Sequence, residues 1–499
     1  MGRLTHPFRR PVAVPSTDCA RADLLLYPTP AKMKGLTTAA LAVAAATTAL
    51  AQQCADIITP SYNAPQVAAG WQAQLVANGF KKPRTIHVDS EGALLVLDAA
   101  VGVHRVTFKD NGGTCLTLTE SKLLVNNTKL THGMAFSEDG KTLYASSVSQ
   151  VLAWAYDAKA GTVNAEPAVV IDNMANNDQT TRTLVMSKAS SNWLVVSRGV
   201  DENFDIDALD ATSGHAQVKA FDLSKSGNNP FDFNTDGKLL GWGIRNAVAV
   251  AEDPATGNVW AMDNSIDDIT RNGVDIHANN PGEELNLLGT IANETDASNY
   301  GYPRCFAVWD TSIPLNSSLN VGDQFSMEQN STMNDTRCHN DYVAPRLTFQ
   351  SHSSPVFLKF NNDGSKAFMS FRGSFNRPNP VGYALTAVDF SNGEPVAKSD
   401  STDALKNIMY NKDLSTCPDQ CFRPVGLAWD SKNRLFMTSD STGEIYILQQ
   451  TDATPTSTTP GTIVTGTATS TAKPDAASGF APSLGLGFAA LLAATFFSF

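Results

Sequence analysis

The sequence predicts an all-β fold, a six-bladed β-propeller, and three observations lead to it. A short unit recurs along the chain, in which an apolar strand, a polar turn and a second, alternating strand follow one another. No long stretch has the apolar period of a helix. A small sheet cannot bury both of its faces alone, so repeated sheets stack, and a ring of them forms a propeller. Six copies are present: Thr85–Phe108, Met134–Asp157, Leu184–Gly199, Val248–Ser265, Val356–Gly373 and Leu427–Leu448.

The amino-terminal region carries a targeting signal. Residues 1–32 are rich in arginine and would hinder a secretory signal behind them, so we expect translation to start at Met33 and this doubtful leader to lie outside the fold. Residues 33–51 combine a lysine, an apolar Ala/Leu/Val run and an Ala-Leu-Ala end. That order predicts a signal peptide with its small-residue cleavage site.

The carboxyl-terminal region predicts a surface anchor behind a propeller domain of residues 52–450. Residues 451–475 are rich in Ser, Thr and Pro, which is typical of a glycosylated stalk. Residues 476–499 pass from small residues to an apolar tail, the pattern of a glycosylphosphatidylinositol (GPI) anchor signal. The alternative is a transmembrane helix, but the tail is short of the about 20 apolar residues that spanning needs. We therefore expect a secreted protein at the cell surface or cell wall, with membrane contact only through a lipid anchor.

Cysteines and glycosylation sequons agree with export. Six cysteines remain once Cys19 of the doubtful leader is left aside, and an even number in an exported chain predicts disulfides. Their pairing is open from sequence; proximity along the chain favours Cys54–Cys115, Cys305–Cys338 and Cys417–Cys421. Sequons predict a glycoprotein and lie at Asn126, Asn293, Asn316, Asn330 and Asn334.

The charge balance argues against one class of partner. The formal net charge is −12, and the part of the chain behind the signal has no basic run. Nucleic acid binding depends on clustered Lys and Arg, so we expect no nucleic acid partner.

A stretch from Trp242 to Pro303 concentrates oxygen-bearing side chains. They are Asp263, Asn264, Asp267, Asp268, Asp275, Glu283 and Glu284. Ca²⁺ prefers such oxygen ligands, whereas the alternative is a solvated acidic loop. Arg245-Asn246 before the loop and the aromatic turn Asn299–Pro303 after it favour a site.

The residues just before each copy fall at one rim of the predicted central channel. They are Pro83-Arg84, Thr131-His132-Gly133, Thr181-Arg182, Arg245-Asn246, His352 to Pro355 and Arg423-Pro424. Several buried cations need an anionic partner, and guanidinium groups suit a planar polycarboxylate. The alternative is that each arginine caps a neighbouring blade; the set as a whole favours a ligand.

Several motifs taken together resemble one family. They are Arg245-Asn246, the loop from Asp263-Asn264-Ser265 to EELN, NYGYP, HSSPVFLKF at His352, FRGSFNR from Phe371 to Arg377 and RPVGLAWD at Arg423. As a set they resemble the quinoprotein sugar dehydrogenases, and more closely the fungal pyranose dehydrogenases and bacterial L-sorbosone dehydrogenases that use pyrroloquinoline quinone. The resemblance covers about Gln66 to Leu448.

The resemblance implies a propeller that holds one pyrroloquinoline quinone and one Ca²⁺ at the channel mouth. The metal polarises the C5 carbonyl of the quinone, and the sugar gives a hydride to C5 while a base takes its hydroxyl proton. By matching position, Arg245 and Asn246 would contact the quinone near this carbonyl, and the backbone carbonyls of Asn264 and Ser265 would ligate Ca²⁺. Other expected cofactor contacts are Arg84, His352, Arg372, Asn376, Arg377 and Arg423.

One position departs from the family pattern. Fungal relatives are similar in having a DHTTRTL-like motif, and its His resembles the general base. In this chain Gln179 stands at the position of that His. A glutamine cannot accept the proton, and a positioned base contributes roughly 10²- to 10⁴-fold. Asp178, His132 or His352 would then serve, and His132 is preferred because it lies at the equivalent rim position of the second copy. A structural His132 bonded to a neighbouring group is the alternative.

The expected function is a secreted oxidoreductase that oxidises a pyranose or keto-aldose sugar and passes electrons to an external acceptor such as a cytochrome. A second hypothesis is a weak or inactive propeller that binds sugar or quinone at the cell wall. A third is a Ca²⁺-dependent lactonase, for which the likeness is of fold only. A lactonase would not need four arginines at the rim.

Overall fold

The computed structural model describes residues 54, 56–295, 297–316, 318–451 and 462–463. These lie within the compact unit Gln52–Phe499, and they confirm the six-bladed β-propeller. The predicted leader and signal peptide, and nearly all of the stalk and anchor tail, lie outside the described residues.

The first three blades follow one another along the chain. Blade 1 consists of Pro83–Val88, Leu94–Asp98, Gly102–Asp110 and Leu116–Asn126. Blade 2 consists of Leu130–Phe136, Thr142–Ser147, Val151–Asp157 and Ala168–Asp172, with Phe231–Asp232 at its outer edge. Blade 3 consists of Leu184–Met186, Trp193–Arg198, Gln217–Asp222 and Lys238–Trp242, with Ser298–Asn299 outermost.

The last three blades complete the ring. Blade 4 consists of Ala249–Glu252, Asn258–Asp263, Glu283–Thr290 and Leu347–Phe349. Blade 5 consists of Pro355–Phe360, Lys366–Phe371, Ala384–Ser391 and Lys406–Tyr410, with Gln66–Val67 outermost. Blade 6 consists of Pro424–Trp429, Leu435–Ser439, Glu444–Gln450 and Trp71–Ala77, with Thr462–Ile463 outermost.

Short elements decorate the blades. The remaining strands are Thr162–Val163, Thr270–Arg271, Val274–Asp275, Cys305–Ala307, Gln324–Ser326 and Glu394–Pro395. The helices are the α-helix Asp335–Asp341 and the 3₁₀ turns Ile206–Leu209, Leu223–Lys225 and Leu414–Thr416. Among the described residues, none of these helices has the length and apolar character needed to cross a membrane.

The polar turns of the repeat unit close the hairpins as the pattern predicts. In blade 1 the Asp89 carboxylate accepts hydrogen bonds from the backbone N–H groups of Glu91 and Ala93. Gly92 has a φ of 81°, which a residue with a Cβ rarely adopts. The turn residues therefore fix where one strand ends and the next begins.

The core of the protein lies between the blades. Each inner strand contacts the inner strands of both neighbouring blades, which closes the ring. Six buried apolar clusters fill the six spaces between adjacent blades. In the space between blades 4 and 5, for example, Trp260 packs edge-on against Phe390 at a centroid distance of 5.3 Å. Each sheet thus buries both faces against its neighbours, as the repeat argument requires.

Both ends of the propeller chain meet in blade 6. Trp71–Ala77 pairs antiparallel with Glu444–Gln450, so a strand from the start of the domain completes the blade that ends it. The predicted disulfides Cys54–Cys115, Cys305–Cys338 and Cys417–Cys421 are confirmed. An additional apolar cluster around Tyr302 and Phe306 packs together the loops that connect strands within blades 3 and 4.

Candidate functional site

A narrow cavity lies at the mouth of the channel, where the segments that precede the inner strands converge. It is lined by residues of blades 1, 3, 4 and 5, which include Lys82, Arg84, Gln179, Thr181, Arg245, Asn246, Asn264, Ser265, Asp267, Glu283, His352, Ser354, Arg372 and Phe375. The structure therefore brings together seven of the residues that the sequence singles out for cofactor or metal, at one place.

One side of this cavity, which we call the cationic wall, consists of Lys82, Arg84 and Arg372 around Asp440. Nη1 of Arg84 donates to Oδ2 of Asp440 at 2.6 Å, and Nε of Arg372 donates to the same oxygen at 2.9 Å. Lys82 has no ion-pair partner among the described residues. Two arginines therefore share one carboxylate with an unpaired lysine beside them, and the wall keeps an excess of positive charge.

Burial tunes the groups of the cationic wall. The arginines around it hold the pKa of Asp440 down at about 2, although burial alone would raise it. The pKa of Lys82 is lowered to about 8, first because burial disfavours its charged form and then because Arg84 repels it. An anionic ligand would relieve this repulsion.

The opposite side, which we call the oxygen wall, consists of the backbone carbonyls of Asn264 and Ser265 and the carboxylate of Glu283. Nη1 of Arg245 donates to both carbonyl oxygens, at 3.2 and 3.0 Å. Oε2 of Glu283 accepts the backbone N–H of Ser265 at 2.9 Å, which holds the loop in place. Burial raises the pKa of Glu283 to about 8.

Arg245 is positioned from behind by the aromatic turn. Its Nε and Nη2 donate to the backbone oxygen and Oδ1 of Asn203, at 3.2 and 3.0 Å. The hydroxyl of Tyr302 donates in turn to that backbone oxygen at 3.0 Å. Asp263 accepts the backbone N–H groups of Arg245 and Asn246, at 3.1 and 2.6 Å. The Arg-Asn pair, the acidic loop and the aromatic turn are thus one assembly.

Gln179 lies in the cavity and bridges two neighbours. Its Nε2 donates to Oδ2 of Asp178 at 2.9 Å, and its Oε1 accepts from Nδ2 of Asn246. Gly199 permits this approach, because a Cβ there would lie 2.7 Å from Cβ of Gln179 and 2.8 Å from Oδ1 of Asn246. Gln179 is therefore suited to orient Asn246 rather than to accept a proton.

The two candidate histidines lie in different surroundings. His132 is fully buried and does not line the cavity; its Nδ1 accepts from Nε of Arg84 at 3.1 Å. Burial and then Arg84 lower its pKa well below the ordinary value. This arrangement corresponds to the structural alternative for His132. His352 lines the cavity, and its Nε2 lies 2.6 Å from the carbonyl oxygen of His277.

A carbonyl oxygen only accepts, so Nε2 of His352 must carry the hydrogen and Nδ1 keeps a free lone pair. Nδ1 lies 3.6 Å from Oδ1 of Asp267, which also lines the cavity. His352 is therefore the histidine with a basic nitrogen at the cavity.

Three expected cofactor contacts do not line the cavity. Nε and Nη2 of Arg423 donate to the carbonyls of Arg372 and Gly373, at 3.0 and 2.6 Å. Asn376 donates to Asp268, and Arg377 donates to Ser351 and Asn279.

Arg182 likewise donates to the carbonyls of Met174, Gln179 and Thr181. The partners of Arg182 and Arg423 are therefore backbone carbonyls and not a ligand, which agrees with the alternative that these arginines cap neighbouring segments.

The two walls fit the implied groups. Excess cationic charge on one wall suits a planar polycarboxylate. The oxygen wall offers carbonyl and carboxyl oxygen atoms, which are the ligands that Ca²⁺ takes. Its two carbonyl oxygens already accept hydrogen bonds from the positive guanidinium of Arg245. A cation seated there would share these carbonyl oxygens with Arg245 or displace its guanidinium.

Sequence reasoning missed four residues of the site, namely Lys82, Asn203, Phe375 and Asp440. A signal for Asp440 was present: it directly follows the second strand of its blade, and Asp98 and Asp263 are the last residues of the second strands of blades 1 and 4. Lys82 stands two residues before Arg84, in the same rim segment.

Comparison with known sequences gives one family and two relatives. The TrAA12-like family model matches residues 65–451. A pyrroloquinoline quinone-dependent sugar dehydrogenase of Hypocrea jecorina is 46% identical over 408 residues, 80% of this chain and 93% of that protein. A pyrroloquinoline quinone-dependent pyranose dehydrogenase of Coprinopsis cinerea is 32% identical over 416 residues. This match covers 80% of our chain and 56% of that protein, so the chain spans about half of its length.

Solved structures give the same picture. The calcium structure of the Trichoderma reesei Carbohydrate-Active Enzymes Family AA12 protein is 47% identical with a TM-score of 0.78, over 80% of this chain and 100% of that one. The holo form of the pyranose dehydrogenase PQQ domain from Coprinopsis cinerea is 32% identical with a TM-score of 0.75, over 80% of this chain and 99% of that one.

Proposed function

Because the chain belongs to the TrAA12-like family, we propose that it is an oxidoreductase that oxidises a pyranose or keto-aldose sugar, with pyrroloquinoline quinone as cofactor and Ca²⁺ as metal. The names of the two relatives support the cofactor and the substrate class. The calcium structure of the Trichoderma reesei protein supports the metal.

The observation that carries the proposal is that a cationic wall and an oxygen wall line the same cavity. The cationic wall would bind the carboxylates of the quinone through Lys82, Arg84 and Arg372. Asn264 and Ser265 would hold Ca²⁺ through their carbonyls. Arg245, which donates to these carbonyls, and Asn246, which donates to Gln179, would orient the quinone at its reacting edge. When bound, the quinone supplies the acceptor for the hydride and Ca²⁺ the Lewis acid that polarises it.

The protein itself supplies the proton acceptor and the shape. Nδ1 of His352 would take the hydroxyl proton of the sugar, since its Nε2 hydrogen is committed to His277. Asp267, 3.6 Å away, would stabilise the imidazolium that forms. Gln179 would hold Asn246 in position. Phe375 is exposed at the rim and would cover the cavity from solvent.

The location of the protein is part of the proposal. A signal peptide at 33–51, sequons and three disulfides support secretion, because disulfides persist in oxidising compartments. The stalk and tail signals support attachment at the cell surface through a GPI anchor. Electrons would leave to an external acceptor such as a cytochrome.

The test is reconstitution. Purified, deglycosylated protein is loaded with pyrroloquinoline quinone and Ca²⁺, and dye reduction is measured with a panel of sugars. We expect sugar-dependent reduction that requires both additions. Quinone binding without any turnover would refute the enzyme and leave a binding module. Hydrolysis of lactones without added quinone would instead support a Ca²⁺-dependent lactonase.

A second candidate, a catalytically weak sugar- or quinone-binding module, is favoured by Gln179. His352→Asn separates the two. If His352 is the proton acceptor, the variant should still bind quinone but lose about 10²- to 10⁴-fold in turnover. In the binding-module case Gln179→His should raise turnover sharply and His352→Asn should change nothing.

A further inference from the structure

A second depression, which we call the side groove, opens beside the cavity. It runs between blades 1 and 2 to the start of blade 3 and has a volume of about 600 Å³. It shares Lys82, Arg84 and Thr181 with the cavity, so the two adjoin one another at the rim. Neither the proposed cofactor nor the proposed metal accounts for it.

The side groove is strongly cationic. Lys81, Lys82, Arg84 and Lys129 line it, and among its described lining residues there is no aspartate or glutamate. The segment that carries the two adjacent lysines is fixed, because Asp98 accepts their backbone N–H groups at 3.0 and 2.6 Å. The backbone from which these two lysines project is therefore fixed, while the side chains of Lys81 and Lys129 are exposed to solvent.

The rest of the lining suits a hydroxylated ligand. Hydroxyl residues supply much of the wall, namely Thr128, Thr131, Ser147, Ser149, Thr180 and Thr181. Hydroxyl groups both donate and accept, which matches the hydroxyls of a sugar. Small-molecule sites have volumes of roughly 300–1,000 Å³, and the side groove falls in that range.

We propose that the side groove is the substrate site and that the preferred substrate is a sugar that carries a carboxylate, such as a uronic acid. The carboxylate would lie against Lys81 and Lys129 at the outer end, and the hydroxyls against the Ser and Thr lining. This inference rests on the proposed function and names its substrate class. A small ligand is favoured over an acidic protein because the groove is concave and adjoins the cavity.

The test measures binding as well as activity. D-glucuronate, its neutral methyl ester and D-glucose are titrated by calorimetry into protein loaded with pyrroloquinoline quinone and Ca²⁺, and into protein without quinone. A charge-assisted contact predicts that glucuronate binds about tenfold more tightly than the ester. In Lys81→Gln/Lys129→Gln that preference should fall to about one, while the affinity for glucose stays unchanged. Lys109→Gln, an exposed lysine away from the groove, is the matched control.

The outcomes are separable. Equal affinity for acid and ester, or a preference that survives in the double variant, would overturn the inference. So would displacement of the quinone by glucuronate, seen in its absorbance, since the groove would then belong to the cofactor cavity. Charge-selective binding without oxidation of any sugar would refute the proposed function and still support the side groove as a binding site for acidic sugars. Oxidation of neutral sugars without any preference for the carboxylate would support the proposed function and refute the side groove as a site for acidic sugars.

Discussion

In the cationic wall Arg84 and Arg372 share the carboxylate of Asp440, whereas in the oxygen wall two backbone carbonyls share the guanidinium of Arg245. The first wall keeps positive charge that its one carboxylate does not balance, and the second offers oxygen atoms that a cation could take as ligands. The pKa of Lys82 is lowered on one side and the pKa of Glu283 is raised on the other. The difference shows how one cavity can take a polyanion and a divalent cation side by side.

The largest expected effect comes from removing the one carboxylate of the cationic wall. Asp440→Asn should cost about 3–5 kcal/mol of unfolding free energy, because it leaves buried cations without a partner. Because the pKa of Asp440 is held at about 2, its contribution is present above pH 4 and is lost as the pH falls towards 2. Denaturant unfolding measures the loss.

The control for this change is Asp389→Asn, which breaks a partly exposed pair with Lys366 and Lys406. It should cost at most about 1 kcal/mol. Equal losses in the two variants would contradict the special role of Asp440.

The next effect belongs to the oxygen wall. Withdrawal of Ca²⁺ by a chelator should lower the unfolding free energy by about 2.7 kcal/mol relative to a Ca²⁺ concentration of about 100 times the Kd. Glu283→Gln should shrink this response, because a bound Ca²⁺ would favour the ionised form of this buried carboxyl and glutamine cannot ionise. Arg372→Met, in the other wall, should leave it intact. A response to Mg²⁺ as large as that to Ca²⁺ would argue against the site.

A smaller effect is expected for quinone affinity. Arg372→Met removes one charge-assisted contact worth about 2 kcal/mol, which raises the Kd for pyrroloquinoline quinone about 30-fold. Arg377→Met is the matched control, since its guanidinium contacts Ser351 and Asn279 outside the cavity. Absorbance titration gives both constants. An equal loss of affinity in the two variants would indicate that the quinone also contacts Arg377, outside the cavity.

The smallest effect is a pH dependence. The pKa of Lys82 is lowered to about 8, first by burial and then by the positive charge of Arg84. Raising the pH through 8 removes one positive charge, so the affinity for quinone should fall about fivefold. A bound carboxylate favours the charged lysine and moves the midpoint above 8.

The comparison variant is Lys82→Met, in which the pH profile of quinone binding should flatten. A slope that persists in this variant would assign the titration to another group. Quinone affinity is measured by titration at each pH, independently of turnover.

The repeat made the fold predictable, because the period of two and the Asp-containing turns are local signals. All six predicted copies cover the two inner strands of a blade, and in blades 1, 2 and 6 they extend into the third strand. The Arg245-Asn246 pair and the Asn264-Ser265 loop were also predicted as one site, and Arg245 contacts both carbonyls. These contacts bridge adjacent strands of one blade, which is why sequence order was sufficient.

The direction of the rim side chains was not predictable. The strand register shifts between Pro83 and Ile86, between Leu130 and Met134 and between Pro424 and Leu427. A bulge at the start of an inner strand breaks the alternation of faces, so the pattern cannot say which rim residue points into the cavity. Arg84 faces it, whereas His132 and Arg423 do not line it.

The strand Trp71–Ala77 that completes blade 6 has a consequence for synthesis. It leaves the ribosome almost first, but its partner Glu444–Gln450 follows more than 350 residues later. Asp440, which joins Arg84 to Arg372, arrives just before that partner. Cofactor loading must therefore wait until the propeller chain is nearly complete, and a truncated nascent chain cannot hold the cationic wall together. A chain that binds the proposed cofactor would therefore be one whose sixth blade has been synthesised and closed.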